Sequence, residues 1–442
     1  MEQSVSREVC LEHHPTARNK AVAARSLNAG SVIITVPALS SVLYQSAKGQ
    51  RCDACHRLSS STDRLRKCTG CAGYWYCGTE CQTKQWKAHH RIICKELNRY
   101  LTSPEYQSMS EHDRVDALLV SQLFAQFFPN GQEERVQDDQ FSTFMDLMKS
   151  PARRQCPPLC IKRGTLSASQ AKAQDLYDRF GNNNFILHSH LNSYAHGIFP
   201  QASRLFNHSC MPNAVAKYII TPSEPVRMDV IALRNIVEGE EITLPYLDPA
   251  LPSNVRQEAL RSNYGFACKC DLCSVTNVAS PIVPPPRGSE ELENMEIALH
   301  IFIFGTPGGT IHIPRGTNYY RTMPDTLTPL LHESYLPAIS EIFSRASHEG
   351  QYEEALHVGP PLLALYFLKY PLNYPQIGMH ALELAKTAWN AIVMNVPTSS
   401  RDDVQAYLAI ASQVLNNLGP EGDGDGPLEE LRLLKQALGE NV

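Results

Sequence analysis

Asn207-His208-Ser209-Cys210-Met211-Pro212-Asn213 is the most specific string in this chain, and the reading of the fold turns on it. A strand-like stretch follows it. Then come Glu238-Gly239-Glu240-Glu241-Ile242-Thr243, Tyr246, and Tyr264-Gly265-Phe266-Ala267-Cys268-Lys269-Cys270-Asp271-Leu272-Cys273. Taken singly, each piece has an ordinary reading: a turn at Asn207-His208, a strand residue at Tyr246, a core aromatic at Phe266. The cysteines say more. Cys268, Cys270 and Cys273 offer three thiolates to one ion, and a tetrahedral zinc site takes a fourth ligand.

Of the 14 cysteines in the 442 residues, only Cys10, Cys156 and Cys160 lie outside this group and an earlier cluster. Cys156 and Cys160 flank Pro157-Pro158 and read as ordinary thiols. No basic start with an apolar core and cleavage site marks the chain for export. Clustered cysteines in a reducing compartment read as metal ligands rather than disulfide partners. The apolar stretch Ser31 to Leu43 is broken by Pro37, Ser40 and Ser41, and falls short of the ~20 residues that span a bilayer. A soluble protein of the cytoplasm, the nucleus or both is expected, with no membrane partner. The net charge of −5 gives no whole-chain argument for nucleic acid or membrane.

The earlier cluster reads Cys52-x2-Cys55, Cys68-x2-Cys71, Cys77-x3-Cys81 and His90-x3-Cys94. Eight ligands of this type suffice for two closed tetrahedral sites, and closed sites are structural rather than catalytic. A Cys-x2-Cys turn presents two thiolates to one ion. His90 and Cys94 fall one helical turn apart on one face. His89 is the rival ligand, about 100° around the helix, but His90 shares its face with Trp86 and Cys94 and is preferred. The segment is also basic: Arg51, Arg57, Arg64, Arg66, Lys67, Lys84, Lys87, Arg91, Lys95 and Arg99 stand against Asp53, Asp63, Glu80 and Glu96. Bound thiolates lower that excess. A solvated basic face is the preferred reading, and contact with nucleic acid stays open.

Tyr76-Cys77-x3-Cys81-Gln82-x3-Trp86 with a following His/Cys pair resembles a MYND zinc finger. The string at 207–213, Tyr246, Tyr264, Phe266 and the cysteine tail, in that order, resemble a SET domain. Over residues 1 to about 275 the chain is similar to the SET-and-MYND protein-lysine methyltransferases. The likeness implies an α+β fold: a SET-domain β-fold interrupted by the finger, then a cysteine-rich post-SET segment, then an α-helical, tetratricopeptide-like C-terminal domain. It implies interleaved zinc sites, Cys52, Cys55, Cys77 and Cys81 for one ion and Cys68, Cys71, His90 and Cys94 for the other. Cys210 is the implied fourth ligand of a third structural zinc.

The same resemblance implies S-adenosyl-L-methionine (AdoMet) as methyl donor and a protein lysine as acceptor, on a histone or another protein. Tyr246 is then the active-site tyrosine, also counted with the cofactor residues, and Tyr264 and Phe185 line the lysine channel. Asn19, Lys20, Asn183, Asn207 and His208 are the implied AdoMet contacts, with Phe266 packing on the adenine. The reaction needs alignment of donor and acceptor and a neutral amine, whose ordinary pKa of ~10.4 a desolvated aromatic channel lowers. The chain departs from the family at Arg18-Asn19-Lys20, where a cofactor loop usually carries glycine; Arg18 or Lys20 is the candidate for the cofactor carboxylate. Pro245 removes a backbone donor, so a strand must end or lie unpaired there. The competing reading, a catalytically weak scaffold, rests on that altered loop. Partner peptides at the finger and a monomeric state are expected.

The expected boundaries are 1–50 and 183–250 for the SET parts, 51–95 for the finger and 96–182 for a helical insert. The post-SET segment takes 251–278, a proline-rich linker 279–290 and the C-terminal helices 291–442. Helical spacing is clear from Val115 to Phe128 with a stop at Pro129-Asn130-Gly131. It recurs at Leu382 to Ile392, Val404 to Leu418 and Leu428 to Leu438, while Tyr352 to Ala364, Tyr366 to Pro371 and Tyr374-Pro375 with a following helix resemble the helical C-terminal domain of the family. Glu421 to Gly426 reads as a flexible, solvated acidic loop. Its Asp423 and Asp425 lack the twelfth-position glutamate of a calcium loop.

Overall fold

The β-branched run after Gly30 forms the strand Val32–Pro37, with Ile33 and Val36 buried. Gly30 turns the chain into it with φ of 81°, a backbone conformation open to glycine. In the computed structural model, which describes residues 3–61, 63–129, 138–152, 154–162, 170–276, 282–305, 319–424 and 426–439, this strand pairs antiparallel with Arg227–Ala232. Arg227–Ala232 in turn pairs with Ala214–Ile219. A second antiparallel sheet orders Ser40–Leu43, Asn192–Ile198 and Asn184–Ser189, and a third joins Gln3–Ser4, Val9–Glu12 and Lys20–Ala23. Their inner faces share one apolar core that includes Val9, Ile33, Phe199, Phe206, Met228 and Ile242.

The cysteine-rich finger interrupts this β-fold. It holds the small ladder Arg66–Lys67 with Trp75–Tyr76, then the helix Thr79–Gln85, which runs through a wider turn at Trp86–His90. Tyr74, Tyr76, Ile93 and Leu97 pack into one core with the helix Glu111–Phe127. That helix starts earlier than Val115 because Ser110 caps it, accepting from the Asp113 N–H. The stop residues Asn130 and Gly131 lie outside the described residues, as do Ser280, Pro281 and Asp425. Arg51 is buried, 8% exposed, so the basic segment is not wholly a solvated face.

The helices Glu290–Phe304, Tyr335–Glu349, Tyr352–Lys369, Pro375–Val393, Arg401–Leu418 and Pro427–Ala437 complete the fold. The two stretches expected around Ala364 are one helix, Tyr352–Lys369, which runs through Pro360-Pro361. A proline pair costs backbone donors, and tertiary contact outweighs it. Gly359 lies so close to the next helix that a Cβ would come within 2.5 Å of Leu384, and its carbonyl lies 3.0 Å from His380 Nε2.

The expectation of a flexible, solvated loop at Glu421–Gly426 is corrected by the structure. Asp423 pairs with Arg51 at 2.6 Å, with 4% and 10% of their side chains exposed. The Ile220 N–H donates to the Glu421 carbonyl at 2.9 Å. Glu421 and Asp423 find partners on the sheets and the finger, which makes their docking cheaper than hydration. Among the described residues, no helix is long and apolar enough to cross a membrane.

Candidate active site

Asn213 organises the site. Its Nδ2 donates to Glu240 Oε1 at 3.0 Å and to the Glu241 carbonyl at 2.8 Å, and its Oδ1 accepts the Thr243 N–H at 2.9 Å. These bonds draw the chain after Glu241 alongside the chain after Phe206. Asn207–His208 and Thr243–Leu244 then run as a short parallel pair. The pairing ends before Pro245, where the missing donor forbids more of it, and Tyr246 turns out of the strand.

Tyr246 is held at both ends. Its N–H donates to His208 Nδ1 at 3.0 Å and its hydroxyl donates to the Phe206 carbonyl at 2.6 Å. Its ring lies 4.8 Å from Tyr264, and Tyr264 lies 6.4 Å from Phe266, which is 37% exposed. Burial pushes the Tyr246 phenol well up and that of Tyr264 to about 12, so both stay protonated near neutrality. Burial pushes His208 down to about 4. A neutral imidazole that accepts at Nδ1 carries its proton on Nε2, which lies 3.2 Å from Cys210 Sγ.

Three ligand sets converge. Cys52, Cys55, Cys77 and Cys81 form one, Cys68, Cys71, His90 and Cys94 the second, and Cys210, Cys268, Cys270 and Cys273 the third, with the atoms of each set within 4.8 Å of one another. Sulfur separations are 3.5 Å for Cys77–Cys81, 3.6 Å for Cys55–Cys77 and 3.5 Å for Cys210–Cys273. A tetrahedron with ~2.3 Å zinc–sulfur bonds places its sulfurs about 3.8 Å apart, far beyond a disulfide bond. The residues present therefore fit zinc. Surroundings agree at the third set, since buried Arg256 faces Cys210 and Cys273 and offsets the net negative charge of four thiolates on Zn²⁺. His89, the rival to His90, is buried with neither ring nitrogen hydrogen-bonded.

The remaining expected residues are dispersed. Asn207 Nδ2 donates to the Asn19 carbonyl and to Glu241 Oε1, both at 2.9 Å. Asn183 Nδ2 donates to the Arg179 carbonyl at 2.9 Å and the Met148 carbonyl at 3.2 Å. Lys20 pairs with Glu12 at 2.8 Å, and Arg18 Nη1 reaches the Asp146 carbonyl at 3.3 Å. Phe185 packs edge-on against Phe199 at 5.7 Å, within the core of the β-sheets. Tyr246 and Tyr264 lie against a third core, that of the C-terminal helices.

Sequence reasoning missed three positioning groups. Asn213 stood in the quoted string, and its polarity beside a proline turn was the available signal. The Phe206 carbonyl and Gln257 carried none; Gln257 binds Cys268 through both its amide atoms, at 2.8 and 3.1 Å.

Comparison with known proteins adds what the chain is similar to. Histone-lysine N-methyltransferase ASHR1 of Arabidopsis thaliana is 29% identical over 57% of this chain and 52% of its own length. N-lysine methyltransferase SMYD2-B of Xenopus laevis is 26% identical over 57% of each chain. The matches thus span only a little over half the length of these relatives. A solved structure of Rubisco LSMT bound to AdoMet aligns over 94% of this chain and 89% of its own, at 12% identity and a TM-score of 0.29, too loose a likeness to inform the site. The family model of the SET domain matches residues 20–247, more than half of the chain and the whole path from the Lys20 strand to Tyr246. This protein therefore belongs to the SET-domain family.

Proposed function

We propose that this protein is an AdoMet-dependent protein-lysine N-methyltransferase of the SET-and-MYND type, acting on a histone or another protein. The observation that carries the reading is the aromatic cluster of Tyr246, Tyr264 and Phe266 beside Asn207–His208. When bound, AdoMet supplies a sulfonium methyl. The protein's part is to align and desolvate. Tyr246 donates a hydrogen bond to the Phe206 carbonyl, which leaves its oxygen lone pairs to accept an amine N–H and fix the amine's direction. Tyr264 gives the channel a second aromatic wall, which favours a neutral amine over an ammonium. Phe185 is the third expected wall, reached from the sheet core.

Phe266 offers an open aromatic face to an adenine. The side chains of Asn207, His208 and Asn183 are engaged inside the protein, so their proposed part in AdoMet binding runs through backbone atoms and ring faces. Asn19 contributes through its own loop, whose backbone carbonyl accepts from Asn207 Nδ2. The three closed ligand sets hold zinc structurally, and the finger takes partner peptides. A monomer in the cytoplasm, the nucleus or both fits this reading. The scaffold alternative is favoured by one observation: Lys20 already pairs with Glu12.

Tyr246→Phe tests the proposal. Single-turnover methyl transfer from labelled AdoMet onto cell-extract protein should slow ten- to a thousand-fold, or about 1.4 to 4 kcal/mol, with AdoMet affinity nearly kept. The Phe206 carbonyl loses its donor, so stability should fall by about 1 kcal/mol. A wild-type rate in the variant, or no calorimetric AdoMet binding by the wild type, would instead support the scaffold.

A further inference from the structure

A separate cavity of about 470 Å³ lies where the C-terminal helices meet the β-sheets. None of Tyr246, Tyr264, Phe266, Asn207 and His208 lines it. Its wall is largely apolar, with Ala216 from the sheets and Met379, Leu415 and Leu428 from the helices. Among the described residues, the acidic side chains on it are already engaged. Glu421 Oε2 accepts the His190 N–H at 2.7 Å, Asp423 pairs with Arg51, and Glu429 pairs with Arg432 at 2.5 Å.

Lys217 differs from these. It is 8% exposed, and it forms no ion pair among the described residues. Its Nζ donates to the Leu418 carbonyl at 2.5 Å, and both residues line the cavity. An ammonium has three donors, and among the described residues only this one hydrogen bond uses them. The Asp229 and Glu421 carboxylates act on the charge from outside ion-pair distance, so a buried donor is left to be met. Burial accordingly draws its pKa down. His188 is on the same wall, and its buried Nδ1 has no hydrogen-bond partner among the described residues. Such a wall complements a ligand with an apolar body and one anionic acceptor.

We propose that this cavity binds a small apolar monocarboxylate, its carboxylate on Lys217 Nζ and its hydrocarbon against Met379, Leu415 and Leu428. The ligand touches sheet and helices at once, so it tightens their junction.

Calorimetry on the full-length, zinc-loaded protein tests this with decanoate, decan-1-ol and decylammonium as probes. Decanoate should bind once per chain and raise the melting temperature. Lys217→Met should weaken decanoate at least ten-fold and leave decan-1-ol unchanged. Lys217→Met also removes the bond to Leu418, so a second variant keeps the lysine: Met379→Trp fills the apolar end and should abolish binding of decanoate and decan-1-ol alike. The proposal is overturned if decanoate does not bind, or if either variant binds it as wild type does. Decylammonium matching decanoate would overturn it too.

Discussion

Between residues 51 and 94 the chain places eight metal ligands around a small core, whereas between 375 and 418 it places Ala381, Ala385, Ala388, Ala411 and Leu382 in full burial between two long helices. The finger's own core is small and shared with the helix Glu111–Phe127, and metal held by its two ligand sets would add to what burial supplies. The helices need no such support. Small residues let them approach closely: a Cβ on Gly378 would lie 2.7 Å from Val414. The third ligand set belongs to both regimes, because Cys210, Cys268 and Cys273 pack into the same core as the C-terminal helices. A structural metal thus fails locally in the finger and more widely at residue 270.

Metal removal should have the largest effect. Structural zinc contributes on the order of 10–16 kcal/mol to small domains, and elemental analysis should find three ions per chain; one or none would end this account. In a background with Trp75→Phe and Trp86→Phe, which leaves Trp389 as the sole tryptophan, Cys71→Ser should lose finger metal while Trp389 fluorescence, reporting on the helices, keeps its transition. Cys270→Ser should lower that transition as well. Equal behaviour of the two variants would dissolve the distinction.

The next effect concerns the joint between the two regions. Asp423→Leu strands a buried Arg51 and should cost about 3–5 kcal/mol, read by urea unfolding. Arg51 also stacks over Tyr194 at 4.2 Å. Arg51→Met with Asp423→Leu should therefore recover much of the loss without restoring it fully. An unchanged midpoint in Asp423→Leu would return the loop to solvent.

A smaller, pH-dependent effect separates the helices from the metal sites. His380 is fully enclosed among Phe343 and Tyr366, and burial pushes it from 6.5 down to about 4. Below 6.5 the unfolded chain takes up a proton that the folded one refuses. Stability therefore falls as pH drops from about 6.5 to 4, by at most about 3 kcal/mol from this residue. His380→Gln should show a shallower loss between pH 7 and pH 5 in urea melts followed at Trp389 in the same background. A slope equal to wild type would assign the acid sensitivity elsewhere.

Much of this was legible in the chain itself. Ligand pairs such as Cys52-x2-Cys55 and His90-x3-Cys94 are local, since one turn sets their geometry, and the choice of His90 over His89 followed from helical phase. Helices such as Arg401–Leu418, with Ser400 and Asp403 closing a capping box, announce themselves by period and cap. Other features depend on partners far away in sequence. No local signal says that Thr243–Leu244 lies beside Asn207–His208, that Tyr246 finds the Phe206 carbonyl, or that Phe185 turns to Phe199. The acidic loop at 421–426 looked solvated because its composition is polar. Arg51 lies 372 positions away from Asp423, and only folding brings that countercharge to the loop. The sequence by itself determined which groups can bind metal and which segments are helical, because those depend on neighbours within a turn or two. The tertiary structure decided which polar groups are buried and against what, because burial depends on the whole chain.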